Sequence, residues 1–134
     1  MLTSRQTGLV FSALDRFKIE LPSWGFANTG TRFGKYLQLA AATTTEEKLS
    51  DAGKVHELTG SCPTVAVHVQ WDFPSGVPDA ASTAATAKRF GVRVGAINPN
   101  LFQEQHYKYG SFANPDEEIR RKAVAHCKDS VEIA

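Results

Sequence analysis

The residues best suited to chemistry lie at the end of a short apolar run, Thr64 to Val69. His68 stands near the end of that run, and Trp71 follows three residues later. An imidazole hydrogen-bonds to a hydroxyl group and exchanges a proton with it, while an indole face packs against the C–H surface of a sugar. This spacing indicates a site for a sugar-like ligand. An equally weighted alternative makes His68 a core histidine whose ring binds a backbone carbonyl.

Two further groups of residues suggest weaker sites. His68 and Asp72 offer two metal ligands, but a metal centre needs more, and no third ligand is nearby. A polar and aromatic loop after Ile97 suits hydroxyl recognition, although a solvated loop has the same composition, and we favour the solvated loop. That loop contains Asn98, Asn100, Gln103, Gln105, His106, Tyr107 and Lys108.

The apolar run from Thr64 to Val69 is predicted to be the first strand. A pair of helices and a segment without periodicity precede it. Apolar residues recur at helical spacing from Gly8 to Phe17. From Leu21 to about Thr45 neither helical nor strand spacing appears, yet the segment is rich in aromatic residues, so we predict an ordered arm. Thr44 and Glu47 then form a capping box, which predicts a helix start.

A second helix–strand unit follows the first strand. Asp79 is predicted to cap an alanine-rich helix, and Val92 to Ile97 reads as the next strand. Strands joined through a helix are parallel, so the predicted class is α/β. A final helix begins near Asn114 to Glu117, with a predicted apolar stripe of Ile119, Ala123, Cys127, Val131 and Ala134.

Composition excludes several classes of protein. The 134 residues carry 15 Lys and Arg against 14 Asp and Glu, a formal charge of +1, which is not the balance of a nucleic-acid binder. No apolar run approaches the roughly 18 residues of a membrane span. The two cysteines fit neither a disulfide framework nor a zinc pattern. We expect a cytoplasmic protein with no nucleic-acid or membrane partner.

The strand count is too small for a complete α/β domain. Two strands of about six residues would give the chain a share of strand residues well below the usual roughly 20–25%. The last helix also lacks the glycine, asparagine or basic residue that commonly ends a helix. We therefore expect the front part of a larger protein, the alternative being strands hidden in the arm.

Three stretches of the chain resemble one enzyme family. Ile19 to Gly34, Val67 to Phe73 and Ile97 to Gln103 are similar to the N-terminal region of bacterial L-rhamnose isomerases of the broad-specificity type. The resemblance implies an incomplete (β/α)8 TIM barrel of the xylose-isomerase superfamily. The whole protein would be roughly three times this length. Residues 1–18 would be a leading helix, 19–45 an aromatic arm and 46–134 the first βα units of a single barrel domain.

The resemblance also implies roles for four residues. His68 matches a catalytic histidine beside the sugar, linked to ring binding or opening, and Trp71 matches an aromatic residue that lines the substrate pocket. Phe33 matches an arm phenylalanine that reaches into a neighbouring subunit of a homotetramer. Trp24 is expected to help form the same substrate-binding wall.

The implied reaction interconverts an aldose and a ketose, with L-rhamnose and L-rhamnulose as the first pair, by hydrogen transfer between C1 and C2. It would use a divalent metal, Mn²⁺ being the first choice, whose ligands are expected beyond residue 134. We therefore expect no metal ligand in this chain and no activity from it alone. Two alternatives stay open: a keto-sugar epimerase of the same superfamily, and a non-catalytic βα module that docks on another chain.

Overall fold

A computed structural model of the chain describes residues 2–27 and 38–134. These residues form three short strands and five helices, with short 3-10 turns between some of them. In chain order the elements are α1 (Ser4–Arg16), β1 (Glu20–Pro22), α2 (Thr45–Thr59), β2 (Thr64–His68), α3 (Val69–Asp72), α4 (Ala80–Arg89), β3 (Arg93–Asn98) and α5 (Glu117–Ile133).

The strands form a parallel sheet in the order β1-β2-β3, which confirms the predicted α/β class. The expected count of two strands is wrong, because β1 lies in the stretch where the sequence shows no period. Three residues ending in Pro22 are too few to show an alternation, and only their pairing with β2 makes them a strand. Leu21 is paired with Val65, which is paired in turn with Val94 on β3.

An irregularity in β3 is stabilised by a side chain from β1. Val65 pairs with Val94 but Val67 pairs with Ile97, so β3 holds one extra residue at this point. The Glu20 carboxylate crosses the sheet and accepts a hydrogen bond of 3.1 Å from the backbone N–H of Ala96. A Cβ atom at position 95 would overlap this carboxylate, so any larger residue there would displace the Glu20 side chain.

The core forms between the sheet and the helices that follow each strand. Val65 and Val67, two residues apart on β2, lie on one face of the strand and are fully buried. They belong to one apolar cluster with residues from α2, α3, α4, α5 and the connecting loops, namely Leu49, Ala52, Val69, Phe73, Ala87, Val92 and Ile133. Helix α2 packs closely on the end of α4, since a Cβ atom on Gly53 would lie 2.4 Å from the carbonyl oxygen of Phe90.

Helix boundaries agree with the sequence where a capping signal is present. The capping box at the start of α2 is confirmed: Thr44 Oγ1 accepts from the Glu47 N–H at 3.2 Å, and the Glu47 carboxylate accepts from the Thr44 N–H at 3.1 Å. Gly60 follows α2 with a φ of 66°, the left-handed conformation that favours glycine. Helix α1 begins at Ser4, earlier than the apolar pattern predicts, because Thr3 and Gln6 form a capping box.

Two other helix predictions are corrected. Asp79 precedes α4, but its carboxylate accepts a hydrogen bond from the Ser75 N–H at 2.7 Å and does not cap the helix. The buried face of α5 passes through Ala123, Ser130 and Ile133. Val131, which the predicted stripe included, is 74% exposed, and the neighbouring Ser130 is buried in its place.

Helix α1 differs from the others in burying none of its residues. Its apolar side chains, with those of its flanks, are exposed: Leu2, Leu9, Val10, Phe11, Leu14, Phe17 and Ile19. Within the described residues, no helix combines the length and the apolar character needed to cross a membrane.

Candidate functional site

The carboxyl end of β2 continues directly into α3, a single turn of helix, and this turn holds the candidate site. A 3-10 turn at Val77–Asp79 follows a few residues after α3. Carboxyl ends of parallel strands are where ligands bind in α/β proteins, because the loops that follow them are free to vary. His68 is the last residue of β2, and Trp71 and Asp72 lie on α3.

His68 is the centre of a group of aromatic rings that we call the aromatic cluster: Trp24, His68, Trp71 and Phe102. The imidazole stacks on Trp71, with ring centroids 3.8 Å apart and planes inclined by 19°. Trp24 and Phe102 each approach the imidazole edge-on, with centroids at 6.4 Å. The sequence predicted the nearness of His68, Trp71 and Trp24, whereas Phe102 was not among the expected site residues.

The His68 ring is buried without a hydrogen-bond partner. The residue is 3% exposed, and neither Nδ1 nor Nε2 is hydrogen-bonded to any group in the described part of the chain. The alternative of a core histidine bound to a backbone carbonyl is therefore wrong for these residues. Buried polar atoms in folded proteins nearly always find a partner, so the two unpartnered ring nitrogens at a strand end make His68 the candidate for a contact that the described residues do not supply.

Burial lowers the pKa of His68 below its ordinary value, because the charged imidazolium loses its hydration. The negative charge of Asp72 opposes this shift of the pKa, whereas the interactions with His126 and with the Lys48 ammonium lower the pKa further. His68 is consequently a neutral imidazole near pH 7, with one nitrogen to accept a hydrogen bond and one to donate. That form suits recognition of a hydroxyl group.

A second group of side chains, the Asp72 network, lies beside the aromatic cluster: Ser23, Lys48 and Asp72. Asp72 is 1% exposed, and its Oδ1 accepts from Lys48 Nζ at 2.9 Å. Its Oδ2 accepts from Ser23 Oγ at 2.5 Å and from the backbone N–H of His68 at 2.8 Å. These bonds connect α2, the turn after β1 and the end of β2.

Asp72 and Phe73 follow Trp71 in the sequence but do not lie at the surface beside it. Asp72 turns inward to Lys48, and Phe73 is a core residue. The weak alternative of a metal held by His68 and Asp72 also fails, because an ammonium group already occupies one carboxylate oxygen and two hydrogen bonds occupy the other.

The polar loop after β3 is largely a structural element. Asn98 Nδ2 donates to the carbonyl oxygen of Val67 at 3.1 Å, and Asn100 Nδ2 donates to Gln70 Oε1 at 2.7 Å. The backbone N–H of Asn100 donates to His126 Nε2 at 2.9 Å. These side chains hold the end of β3 against that of β2, so the preference against a recognition role agrees with their contacts.

One predicted site residue cannot be located in this structure. Phe33 lies outside the described residues, so its role stays a prediction.

Among residues 2–27 and 38–134, no three or more His, Cys, Asp or Glu side chains are grouped so that they could hold a metal ion. These residues do not fit a manganese centre, and the expectation that the metal ligands lie beyond residue 134 stays a prediction.

Sequence reasoning missed the roles of Ser23 and Lys48. Lys48 lies 24 residues from Asp72 and Ser23 lies 49 residues away, so no local spacing connects them. The one available signal was a lysine at a position of α2 next to the apolar stripe, where a buried charge requires a partner.

The chain is similar in sequence to two proteins named as probable sugar isomerases. No family model matches it. It is 34% identical over 127 residues to a probable sugar isomerase of Mesorhizobium japonicum, covering 90% of this chain and 28% of that protein. It is 31% identical over 122 residues to a probable sugar isomerase of Rhizobium meliloti, covering 87% of this chain and 28% of that protein. The chain thus spans 28% of the length of these curated relatives, whose names specify no sugar.

Proposed function

We propose that this chain is part of a sugar isomerase that interconverts an aldose and a ketose. Similarity to two probable sugar isomerases over most of the chain supports the general activity. The observation that carries the proposal is the buried imidazole of His68, whose two ring nitrogens are free at the carboxyl end of a parallel strand. L-rhamnose and L-rhamnulose are the first substrate pair to test, on the resemblance described above.

The aromatic cluster provides the surface that a sugar requires. Trp71 is half-buried beside His68, and Trp24 meets the Trp71 ring edge-on at 6.4 Å. Aromatic walls pack on the C–H face of a sugar and exclude water, which strengthens hydrogen bonds to the hydroxyl groups. Among the four rings of the cluster, His68 is the one that can both accept and donate a hydrogen bond, so we assign it the contact with the ring oxygen or the anomeric hydroxyl.

His68 would assist opening of the cyclic sugar. Ring opening removes the proton of the anomeric hydroxyl and delivers a proton to the ring oxygen as the C1–O bond breaks. A neutral imidazole can accept the first proton at its free nitrogen and donate its N–H proton to the ring oxygen. The lowered pKa of His68 keeps the imidazole neutral near pH 7 and therefore available for this exchange.

The remaining parts of the proposal concern the whole protein. We propose that the parallel sheet is the beginning of a (β/α)8 barrel, that the enzyme is a homotetramer and that Phe33 completes a neighbouring site. We further propose that the enzyme uses Mn²⁺ held by residues beyond 134. Hydrogen transfer between C1 and C2 would belong to that metal-containing part.

The test is an assay of protein expressed from the complete reading frame. With L-rhamnose and Mn²⁺, the proposal predicts formation of L-rhamnulose, and the 134-residue chain alone should show no turnover. Inversion of a ketose at C3 without aldose formation would instead identify an epimerase. A complete protein that leaves a panel of aldoses and ketoses unchanged, with Mn²⁺, Mg²⁺ or Co²⁺ present, would contradict the proposal.

A further inference from the structure

The Asp72 network contains a buried ion pair at the carboxyl end of β2. Lys48 and Asp72 form an ion pair with side chains 7% and 0% exposed. Removing two charges from water is so unfavourable that a well-packed apolar pair is often as stable or more stable. Stability alone therefore does not account for an ion pair at this position.

The bonds of Asp72 converge on the backbone that carries the site. The bond from the His68 N–H to Asp72 Oδ2 closes the turn between the end of β2 and the end of α3. One turn of helix is not stable by itself, so tertiary contacts must hold this turn in place. Ser23 and Lys48 supply those contacts from two different elements.

The turn determines how the two rings of the site meet. His68 and Trp71 both lie within the segment that Asp72 closes, and their rings stack at 3.8 Å. A shift of the turn would move the imidazole relative to the indole and alter where its free nitrogens lie. The carboxylate thus controls the geometry of rings that it does not itself stack against.

We propose that Asp72 is a positioning residue of the sugar site, held by Lys48 and Ser23, which keeps His68 stacked on Trp71 with both ring nitrogens free. This inference rests on the proposed function in taking these two rings as the sugar-binding surface. Asp72 acts through the backbone of His68 and makes no contact with substrate itself.

Two double variants separate positioning from simple stabilisation. Lys48→Met with Asp72→Leu replaces the ion pair by apolar side chains and removes the bonds to Ser23 and to the His68 N–H. Lys48→Met with Asp72→Asn also removes both charges, but the amide oxygen can still accept those two bonds. The matched control is Lys54→Met with Glu57→Leu, which removes an exposed ion pair of the same type.

The readouts are the nuclear Overhauser contacts between the His68 and Trp71 rings and the exchange rate of the His68 amide proton. Far-UV circular dichroism of each variant reports whether the fold is retained. These measurements use protein expressed from the complete reading frame and no sugar, so their outcome is independent of the isomerase activity.

In the leucine variant we expect a folded chain that has lost the ring contacts, with His68 amide exchange faster by about tenfold or more. The asparagine variant and the exposed-pair control should retain both signatures. Ring contacts that persist in a folded leucine variant would overturn the proposal. Should the leucine variant not fold, the asparagine variant decides: a folded chain without the ring contacts overturns the proposal, and retained contacts support it.

Discussion

The carboxyl ends of β2 and β3 lie side by side, yet their polar side chains are used in opposite ways. At the end of β3, Asn98 and Asn100 donate their side-chain hydrogen bonds to groups on or just after β2. At the end of β2, His68 is as buried as Asn100, but its ring nitrogens bind no described residue. The polar side chains at the end of β3 are hydrogen-bonded within the chain, whereas the polar ring at the end of β2 has no described partner.

The polar side chains at the end of β3 support the fold, whereas the ring at the end of β2 is the candidate for binding a ligand. The loop after β3 holds seven polar or aromatic residues, and the sequence favoured a solvated loop over a recognition site there. The hydrogen bonds of Asn98 and Asn100 agree with that preference, whereas a buried group without a partner, such as the His68 ring, is one that a ligand can satisfy. Three predictions, in order of decreasing effect, test whether the two strand ends really differ in this way.

Loss of the Asp72 carboxylate should have the largest effect on stability. Asp72→Ala leaves the Lys48 ammonium buried without its partner, which should lower the free energy of unfolding by about 3–5 kcal/mol. Urea denaturation followed by circular dichroism measures this change. Glu57→Ala, which breaks an exposed ion pair, should shift the value by less than about 1 kcal/mol. Equal losses in the two variants would contradict the view that the network is buried.

Asn100→Ala should destabilise the chain by about 1–3 kcal/mol without altering the ring contacts of His68. Asn100 is buried, and its side chain bonds to Gln70 and to the backbone N–H of Gln103. Urea denaturation gives the stability and nuclear Overhauser spectra give the ring contacts. If the variant instead retained its stability but lost the ring contacts, the end of β3 would belong to the recognition surface.

Acid should weaken the fold through His68. Because burial lowers the pKa of His68 in the folded state, the unfolded chain binds a proton more readily. Stability is therefore complete above the unfolded pKa of about 6.5 and falls as pH drops towards the folded pKa, by at most about 1.4 kcal/mol per pH unit. The difference between unfolding curves of the parent chain and His68→Phe isolates this contribution. A difference that stays constant from pH 8 to pH 5 would mean that His68 is not buried as a neutral ring.

The sequence predicted those parts of the fold that depend on neighbouring residues. The capping box of Thr44 and Glu47 was confirmed, because it arises from a spacing of three residues within one stretch of the chain. Strand β1 was missed, since its three residues become a strand only by pairing with Thr64, Val65 and Ala66. Long-range pairing leaves no periodic trace in so short a segment.

The sequence indicated which aromatic rings form the candidate site but not which side chains hold them in place. His68 and Trp71 are three residues apart and follow a recognisable strand, so their nearness could be expected. The Asp72 network joins residues separated by 24 and 49 positions, and only the folded chain brings them together. The free ring nitrogens of His68 are likewise a property of the packed structure.

The most direct test of the central claim compares His68→Asn with Asn98→Ala in protein expressed from the complete reading frame. His68 and Asn98 end neighbouring strands and are paired in the sheet, so they form a matched pair. With cyclic L-rhamnose as substrate, we expect His68→Asn to lower turnover by about 10²-fold or more, with metal content unchanged, and Asn98→Ala to stay near the parent value. Equal turnover in the two variants, or loss of metal from His68→Asn alone, would contradict the assignment of His68 to the sugar ring.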